Sequence, residues 1–103
     1  MALLEVNYSD DARNDLDAIL FYIIETSGFS RTARDYIERI MTRCELIGSA
    51  PDGGALRPDF GDNFRQTPFE RLMIVYQVRD SDVLILRIFS NGQDYEAIMR
   101  GLN

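Results

Sequence analysis

Residues 72–89, LMIVYQVRDSDVLILRIF, contain the strongest strand signal in the chain. Two runs, Leu72–Val78 and Val83–Phe89, consist almost entirely of β-branched, aromatic and aliphatic residues, which favour strands. The polar residues Arg79–Asp82 between them predict a tight turn. Because both runs are apolar at nearly every position, we expect them to lie centrally in a sheet and to be covered on much of both faces.

Two helices are predicted upstream of these strands. Alternation over Leu4–Tyr8 indicates a short strand with one buried face. Ser9 is then predicted to cap a helix whose apolar residues recur at helical spacing and which stops near Gly28. Ser30 is predicted to cap a second helix, which ends before the loop at Gly48–Gly54. We expect an antiparallel helical hairpin joined by a tight turn.

The remaining segments complete an α+β pattern. Phe64–Thr67 predicts a short strand broken by Pro68, and Asp94–Leu102 predicts a last short helix. The predicted order over residues 1–103 is β-α-α-β-β-β-α, in a single domain. Because the strands are segregated from the helical hairpin, we expect the N-terminal strand and the hairpin to pack on one face of a mainly antiparallel sheet.

The composition excludes several kinds of chemistry. The chain has no His, no Lys and no Trp, its eleven cationic side chains are all Arg, and its formal net charge is −6. Catalytic triads, Ser–Lys pairs, Schiff bases and P-loops are excluded, because each requires an imidazole or an amine. The acidic balance argues against sequence-specific nucleic-acid binding. Whether the Arg residues gather into a local patch depends on the fold.

We expect no metal site, cofactor or membrane segment. Cys44, the single cysteine, excludes an intrachain disulfide and is predicted to be buried on the apolar face of the second helix. Asp59–Asp62 lacks the spacing and the closing Glu of a calcium loop. Met1–Glu5 has no basic start, and the longest apolar run, Ala18–Ile24, is too short for a bilayer span. We therefore expect a soluble, cytoplasmic protein.

The chain resembles the ParE/RelE superfamily of toxins from bacterial type II toxin–antitoxin systems, over nearly its whole length and most closely the ParE branch. The residues that carry this resemblance are Tyr8-Ser9, Ala12, Asp15-Leu16, Ile19, Ala33, Tyr36-Ile37, Leu46, Pro51, Gly54, Arg57-Pro58-Asp59-Phe60, Arg65, Phe69-Glu70-Arg71, Ile74–Val78, Ile85–Ile88 and Asp94. The resemblance implies a RelE/ParE-like fold. It also implies a toxin that binds and inhibits DNA gyrase, without enzymatic activity, and that a ParD-like antitoxin neutralises in a hetero-oligomer.

Two alternatives remain open: a RelE-type, ribosome-dependent messenger-RNA ribonuclease, and a non-toxic module that has kept only the antitoxin surface. A gapless register places Met73, Gln93 and Met99 where the ribonuclease branch has two Arg and a late Tyr. Tyr95 is the nearest late candidate for proton transfer. The segment Ser90–Asp94 also lacks two basic residues that many ParE relatives carry after the last strand.

The resemblance suggests two sets of binding residues. We predict that the gyrase target contacts Arg65, Arg71, Arg87, Gln93 and Tyr95. We predict that the antitoxin covers part of an aromatic excess formed by Phe21, Tyr22, Phe29, Tyr36, Phe60 and Phe64. Arg87 has a second interpretation, as a structural residue paired with a carboxylate such as Asp94 or Glu70. Arg57, Arg65 and Arg71 are expected to face solvent or a partner, with surface salt bridges as the alternative.

Overall fold

The computed structural model describes residues 3–90 and 92–101, which form a sheet with helices on both faces. Its strands are β1 (Glu5–Tyr8), β2 (Ala55–Leu56), β3 (Phe64–Phe69), β4 (Leu72–Val78) and β5 (Asp82–Phe89). Its α-helices are α1 (Asp10–Ser27), α2 (Ser30–Ile47) and α3 (Tyr95–Arg100), and a short 3₁₀ turn covers Pro51–Gly53. In the described residues, none of these helices has the length and hydropathy needed to cross a bilayer.

The ends of α1 confirm the sequence prediction. The Ser9 hydroxyl accepts a hydrogen bond from the backbone N–H of Ala12 at 3.0 Å, which satisfies one of the unpaired donors of the first turn. At the other end, Gly28 adopts the left-handed conformation with φ 77°, and its N–H donates to the carbonyl of Ile24. Only Gly28 and Phe29 separate α1 from α2, so the helices form the predicted tight hairpin.

The predicted cap of α2 is wrong by one residue. Phe29 occupies the N-cap position, no side chain caps the helix there, and Ser30 is the first helical residue. The two-residue connection explains this, because the chain leaves Gly28 in a left-handed turn and Phe29 must then be extended, with φ −118° and ψ 109°. The Ser27 hydroxyl accepts from the N–H of Phe29 at 3.1 Å and supports the turn from the preceding helix.

The sheet has the order β1-β5-β4-β3-β2. β1 pairs with β5 in parallel, and the other neighbours pair antiparallel, so the sheet is mainly antiparallel, as predicted. β4 and β5 lie in the centre with β1 against β5, which confirms the interpretation of their apolar runs. β5 begins at Asp82, a position that we had assigned to the turn.

The prediction that Pro68 ends the third strand is wrong. β3 runs on to Phe69, and Pro68 is in register with Met73 of β4. A missing N–H is tolerated there, because β2 pairs with β3 only at Arg65 and Gln66 and β3 is an edge strand beyond them. The two-residue strand β2 lies in a segment for which the sequence predicted no element.

Residues of the central strands are divided between the two faces of the sheet, and a register shift between β4 and β5 at Val75 and Tyr76 interrupts the alternation. On one face, Ile74, Tyr76 and Ile85 belong to the main core with the buried side chains of α1 and α2. On the other face, which we call the second face, Val75 and Phe89 form a smaller core with α3. The helical hairpin therefore covers one face, as predicted, and α3 covers part of the other. The N-terminal strand, which we expected on that face with the hairpin, is instead an edge strand of the sheet, because β1 pairs with β5. The last helix is shorter than predicted: Asp94 is its N-cap, and Leu102 lies outside the described residues.

Candidate functional site

A groove runs between the helical hairpin and the turn that joins β3 to β4. It consists of three adjoining hollows, and we call it the hairpin groove. The lining residues that neighbouring hollows share are Ile23, Tyr36, Arg71, Asp35, Arg39 and Glu70. One end hollow, about 600 Å³ in volume, is lined largely by apolar side chains of α1, β4 and β5 and extends to Ser90 and Gln93. A concave surface with a few polar groups is typical of a binding site.

Three of the six aromatic residues predicted to bind the antitoxin are exposed around the end of the helical hairpin. The exposed fractions of Phe21, Tyr22 and Phe29 are 63%, 67% and 67%. Tyr36 is half-buried against the main core, with the Arg39 guanidinium 5.2 Å from its ring centre. Large aromatic side chains left in water on a small protein favour an interaction surface. Their role in antitoxin binding stays a prediction.

Phe60 and Phe64, the other two, lie elsewhere. Both are partly buried on the second face and pack against the smaller core with α3. The six predicted residues are therefore divided between two surfaces, and one short partner segment in the hairpin groove does not contact them all.

Arg87 forms a partly buried ion pair, but with a partner that the sequence did not suggest. Its Nε and Nη2 donate to the two carboxylate oxygens of Asp15 on α1, at 2.8 and 2.9 Å. Hydrogen bonding to Asp15 raises the pKa of the Arg87 guanidinium. The expected partners, Asp94 and Glu70, are wrong, because α1 packs on β5 and brings a residue 72 positions away beside the strand.

Arg65 supports the loop before β2. Its Nη1 donates to the backbone carbonyls of Asp52 and Gly54 at 3.1 and 2.8 Å, and its Nη2 lies 3.6 Å from the Asp52 carboxylate. In the same loop, the Tyr76 hydroxyl donates to the carbonyl of Pro51 and accepts from the N–H of Gly54. Arg65 therefore holds the edge of the sheet together and does not line the hairpin groove.

An ion-pair network centred on Arg57 covers part of the second face. Its Nε and Nη2 donate to Asp59 at 3.0 and 2.9 Å, Nη2 also donates to Glu96 at 2.7 Å, and Nη1 donates to Gln66 at 2.7 Å. Arg100 of α3 donates to the same two carboxylates. Hydrogen bonds from Arg57 and Arg100 hold the pKa of Asp59 far below its usual value. The expectation that Arg57 faces solvent or a partner is wrong, since its side chain is only 15% exposed. Arg57 instead forms salt bridges with Asp59 and Glu96, which was the alternative interpretation.

Tyr95 lies beside this network. Its ring packs against Phe89 and meets Phe60 edge-on, at centre-to-centre distances of 5.9 and 6.4 Å. The amide of Gln66 donates to its hydroxyl at 3.5 Å, a long hydrogen bond. Tyr95 is therefore held by aromatic packing on the second face.

The structure brings only part of the predicted sets together. Arg71 and Gln93, predicted for the target, line the hairpin groove with Tyr22 and Tyr36, predicted for the antitoxin. The Gln93 side chain also accepts hydrogen bonds from the backbone N–H and hydroxyl of Ser90, which shapes that end of the groove. Arg65 and Tyr95 lie away from the groove. The five predicted target residues thus do not form one site.

The sequence reasoning missed the Arg57 network and the role of Asp15. The network joins residues from the β2–β3 connection, β3 and α3, up to 41 positions apart, and no local pattern links them. Asp15 lies in α1, and its position on that helix indicates no partner on β5.

Cys44 is fully buried, as predicted. Burial raises the pKa of its thiol to about 12, so the reactive thiolate is disfavoured at neutral pH. Over residues 3–90 and 92–101, no three His, Cys, Asp or Glu side chains cluster in a way that could hold a metal ion.

Comparison with known families decides the relationship of this chain. The model of the family described as the ParE toxin of the type II toxin–antitoxin system parDE matches residues 6–95. The chain belongs to the ParE toxin family. It is therefore related to the toxin components of type II toxin–antitoxin systems. No curated protein matches the ParE-family chain at a significant level.

One solved structure supports the fold of this ParE-family chain, and two others are reported as similar. A chain from the chromosomal ParDE system of P. aeruginosa is 22% identical, with a TM-score of 0.74 over 86% of this chain and 97% of that one. A conserved hypothetical protein from Helicobacter pylori is 22% identical, with a TM-score of 0.46 over 88% and 98% of the two chains. A copper-bound mutant toxin from Helicobacter pylori is also 22% identical, with a TM-score of 0.48 over 85% and 94%.

Proposed function

We propose that this ParE-family toxin is cytoplasmic and acts by binding DNA gyrase, without a cofactor, a metal or chemistry of its own. A ParD-like antitoxin holds it inactive in a hetero-oligomer. The family resemblance is the basis for naming gyrase as the target and a ParD-like antitoxin as the partner. One observation supports action by binding. On the second face, the guanidinium groups of Arg57 and Arg100 are already paired with carboxylates of the same chain.

Cleavage of RNA at a 2′-hydroxyl requires a proton acceptor, a proton donor and stabilisation of charge at the phosphate. The chain has no His and no Lys to transfer protons. On the second face, Asp59 and Glu96 engage both Arg57 and Arg100. A phosphate would have to displace these carboxylates before either guanidinium could stabilise it. Tyr95 is held by packing against Phe60 and Phe89. These features favour binding over catalysis.

A binding toxin can act by shifting the population of target states. A ligand changes an equilibrium only by its difference in affinity for the two states. In this proposal the toxin binds the form of gyrase with cleaved DNA more tightly than the resting form. Cleaved complexes then accumulate, and supercoiling falls.

The exposed aromatic residues support the antitoxin part of the proposal. Phe21, Tyr22 and Phe29 are exposed towards the end of the helical hairpin, and Tyr22 lines the hairpin groove. An amphipathic segment that covered them would remove a large apolar surface from water, which drives association.

The decisive experiment uses the purified toxin with DNA gyrase and relaxed plasmid. We expect reduced supercoiling and accumulation of cleaved DNA, both reversed when the toxin is first mixed with its antitoxin. A parallel assay with ribosomes and a defined transcript should show no cleavage. Transcript cleavage that is lost in Tyr95→Phe would overturn the proposal in favour of a RelE-type ribonuclease. Tight antitoxin binding with neither effect would instead indicate a module that has lost its toxicity.

A further inference from the structure

Arg71 is a cation without a partner in the hairpin groove. It is exposed, it lines two of the three hollows, and no group in residues 3–90 and 92–101 pairs with its guanidinium. The other cations at the groove are engaged. Arg39 pairs with Glu70, and Arg43 donates to the Thr67 hydroxyl at 3.0 Å. Arg71 is therefore the cation in the groove that is available to an incoming group.

The turn that carries Arg71 is strained and fastened to α2. Phe69 and Leu72 close a two-residue connection, and Glu70 has φ 54° in the left-handed region, which disfavours a residue with a Cβ. Its carboxylate pairs with Arg39 of α2. Because the Glu70 carboxylate is paired with Arg39, it does not pair with the neighbouring Arg71. Backbone strain held in place by surrounding contacts is common at binding sites.

The surroundings of Arg71 define the chemistry of the partner. Apolar and aromatic side chains of Tyr22, Ile23, Tyr36 and Leu72 line the same hollow. A carboxylate that reached Arg71 among these groups would lie in a medium of lower dielectric than water, where a charge pair is stronger. Asp35 and Glu38 in the adjoining hollows, together with the net charge of −6, disfavour a segment that carries several acids. The groove thus fits an amphipathic segment with one acid beside its apolar face.

We propose that Arg71 determines specificity in the hairpin groove by binding a carboxylate side chain on an amphipathic segment of the antitoxin. This inference rests on the proposed function, because it takes the groove to be where the antitoxin binds. Glu70 is a positioning residue, which keeps Arg39 engaged and holds the turn.

The test measures the affinity of the toxin for its candidate antitoxin, taken as the full-length protein encoded by the reading frame next to that of the toxin. Arg71→Glu should weaken binding by on the order of 30-fold or more, because it places like charges together in the groove. Arg34→Glu is the matched control. It makes the same charge change at an exposed position on α2 that lines no part of the groove, and it should change affinity by less than about threefold. Circular dichroism and thermal unfolding of both variants check that the fold is intact.

A charge swap then identifies the partner group. Each acidic residue of the adjacent protein is changed to Arg in turn and combined with toxin Arg71→Glu. We expect one of these changes to restore most of the lost affinity. Equal losses for the Arg71 and Arg34 variants, or no rescue by any swap, would overturn the role of Arg71 while leaving the partner established. Failure of the adjacent protein to bind the wild-type toxin would overturn the proposed partner and this inference together.

Discussion

At the scale of single residues, the Arg87–Asp15 pair shows how a charged side chain survives beside the core. The exposed fractions of the two side chains are only 19% and 14%, and the Asp15 carboxylate also accepts from the backbone N–H of Ile88 at 2.8 Å. The pair thus satisfies three donors with one acid and links α1 to β5. Removing one partner leaves the other charge partly buried and unpaired.

We predict that Asp15→Asn lowers the free energy of unfolding by about 2 kcal/mol, between the values typical of exposed and buried pairs. Urea denaturation measures this change. Arg34→Gln, on an exposed face of α2, serves as the control and should change stability by less than about 0.5 kcal/mol. A loss for Asp15→Asn no larger than that of the control would show that the pair has no net stabilising role.

Asp82 should make the stability of the folded protein depend on pH in the acidic range. The Nε of Arg79 donates to its carboxylate at 2.6 Å and the Asn7 amide at 2.7 Å, so β1 is tied to the β4–β5 turn. These hydrogen bonds, chiefly from Arg79, lower the pKa of Asp82 from 3.8 to about 2. A lowered pKa means that the folded state binds fewer protons than the unfolded state.

The stabilisation from Asp82 should therefore be complete above about pH 4 and lost as the pH falls through about 2. We expect wild type to be more stable than Asp82→Asn at neutral pH, and the difference to shrink over this window. Thermal unfolding at a series of pH values measures it. A difference that stays constant down to pH 2 would contradict the assignment.

Sequence reasoning at this scale succeeded for burial and failed for partners. It predicted the buried Cys44 and an aromatic excess that includes the exposed Phe21 and Phe29. It could not find that Asp15 pairs with Arg87, because the amphipathic pattern of a helix indicates which side is apolar and nothing about which distant strand it meets. Arg71 was selected by resemblance, and only the fold shows that none of the described residues pairs with it.

At the scale of elements, the end of α1 depends on the backbone of Gly28. Its φ is 77°, and a Cβ built on it would meet no atom within 4 Å, so a substitution there tests conformation alone. The αL conformation is disfavoured for other L-residues by roughly 1–2 kcal/mol.

We predict that Gly28→Ala lowers the free energy of unfolding by about 1 kcal/mol through this backbone term. Gly53→Ala is a matched control, since its Cβ also meets nothing within 4 Å and its φ is not positive. It should be neutral or slightly stabilising. Chemical denaturation of both variants provides the measurement, and equal effects at the two positions would refute the conformational explanation.

The elements themselves were largely predictable. The apolar runs of β4 and β5 and the helical spacing of α1 and α2 are strong local signals, and the structure confirms all four. β2 was missed because a strand of two residues holds no pattern. Pro68 misled the prediction because tolerance of Pro depends on whether a neighbouring strand pairs at that position, which is a property of the sheet.

At the scale of the whole molecule, binding of the antitoxin and folding should be linked. A partner that binds only the folded state stabilises it by about 2.7 kcal/mol when its free concentration is 100 times Kd. We predict that the adjacent-frame protein raises the unfolding temperature of the toxin in a concentration-dependent manner. Differential scanning calorimetry of the full toxin with increasing partner measures the shift. An unfolding temperature that does not change with partner concentration would contradict a complex with the folded toxin.

The sequence alone determined the chemistry that this protein lacks, its α+β class, its main helices and strands, and its family resemblance. These follow from composition and from periodicities of two to four residues, which are local. Only the tertiary structure decided that α3 covers part of the second face, that Arg57 is neutralised there, and that no group among residues 3–90 and 92–101 pairs with Arg71 in the hairpin groove. The physical reason is that the ionic partners lie tens of residues apart along the chain, and packing of the helices on the sheet selects among many carboxylates of equal charge.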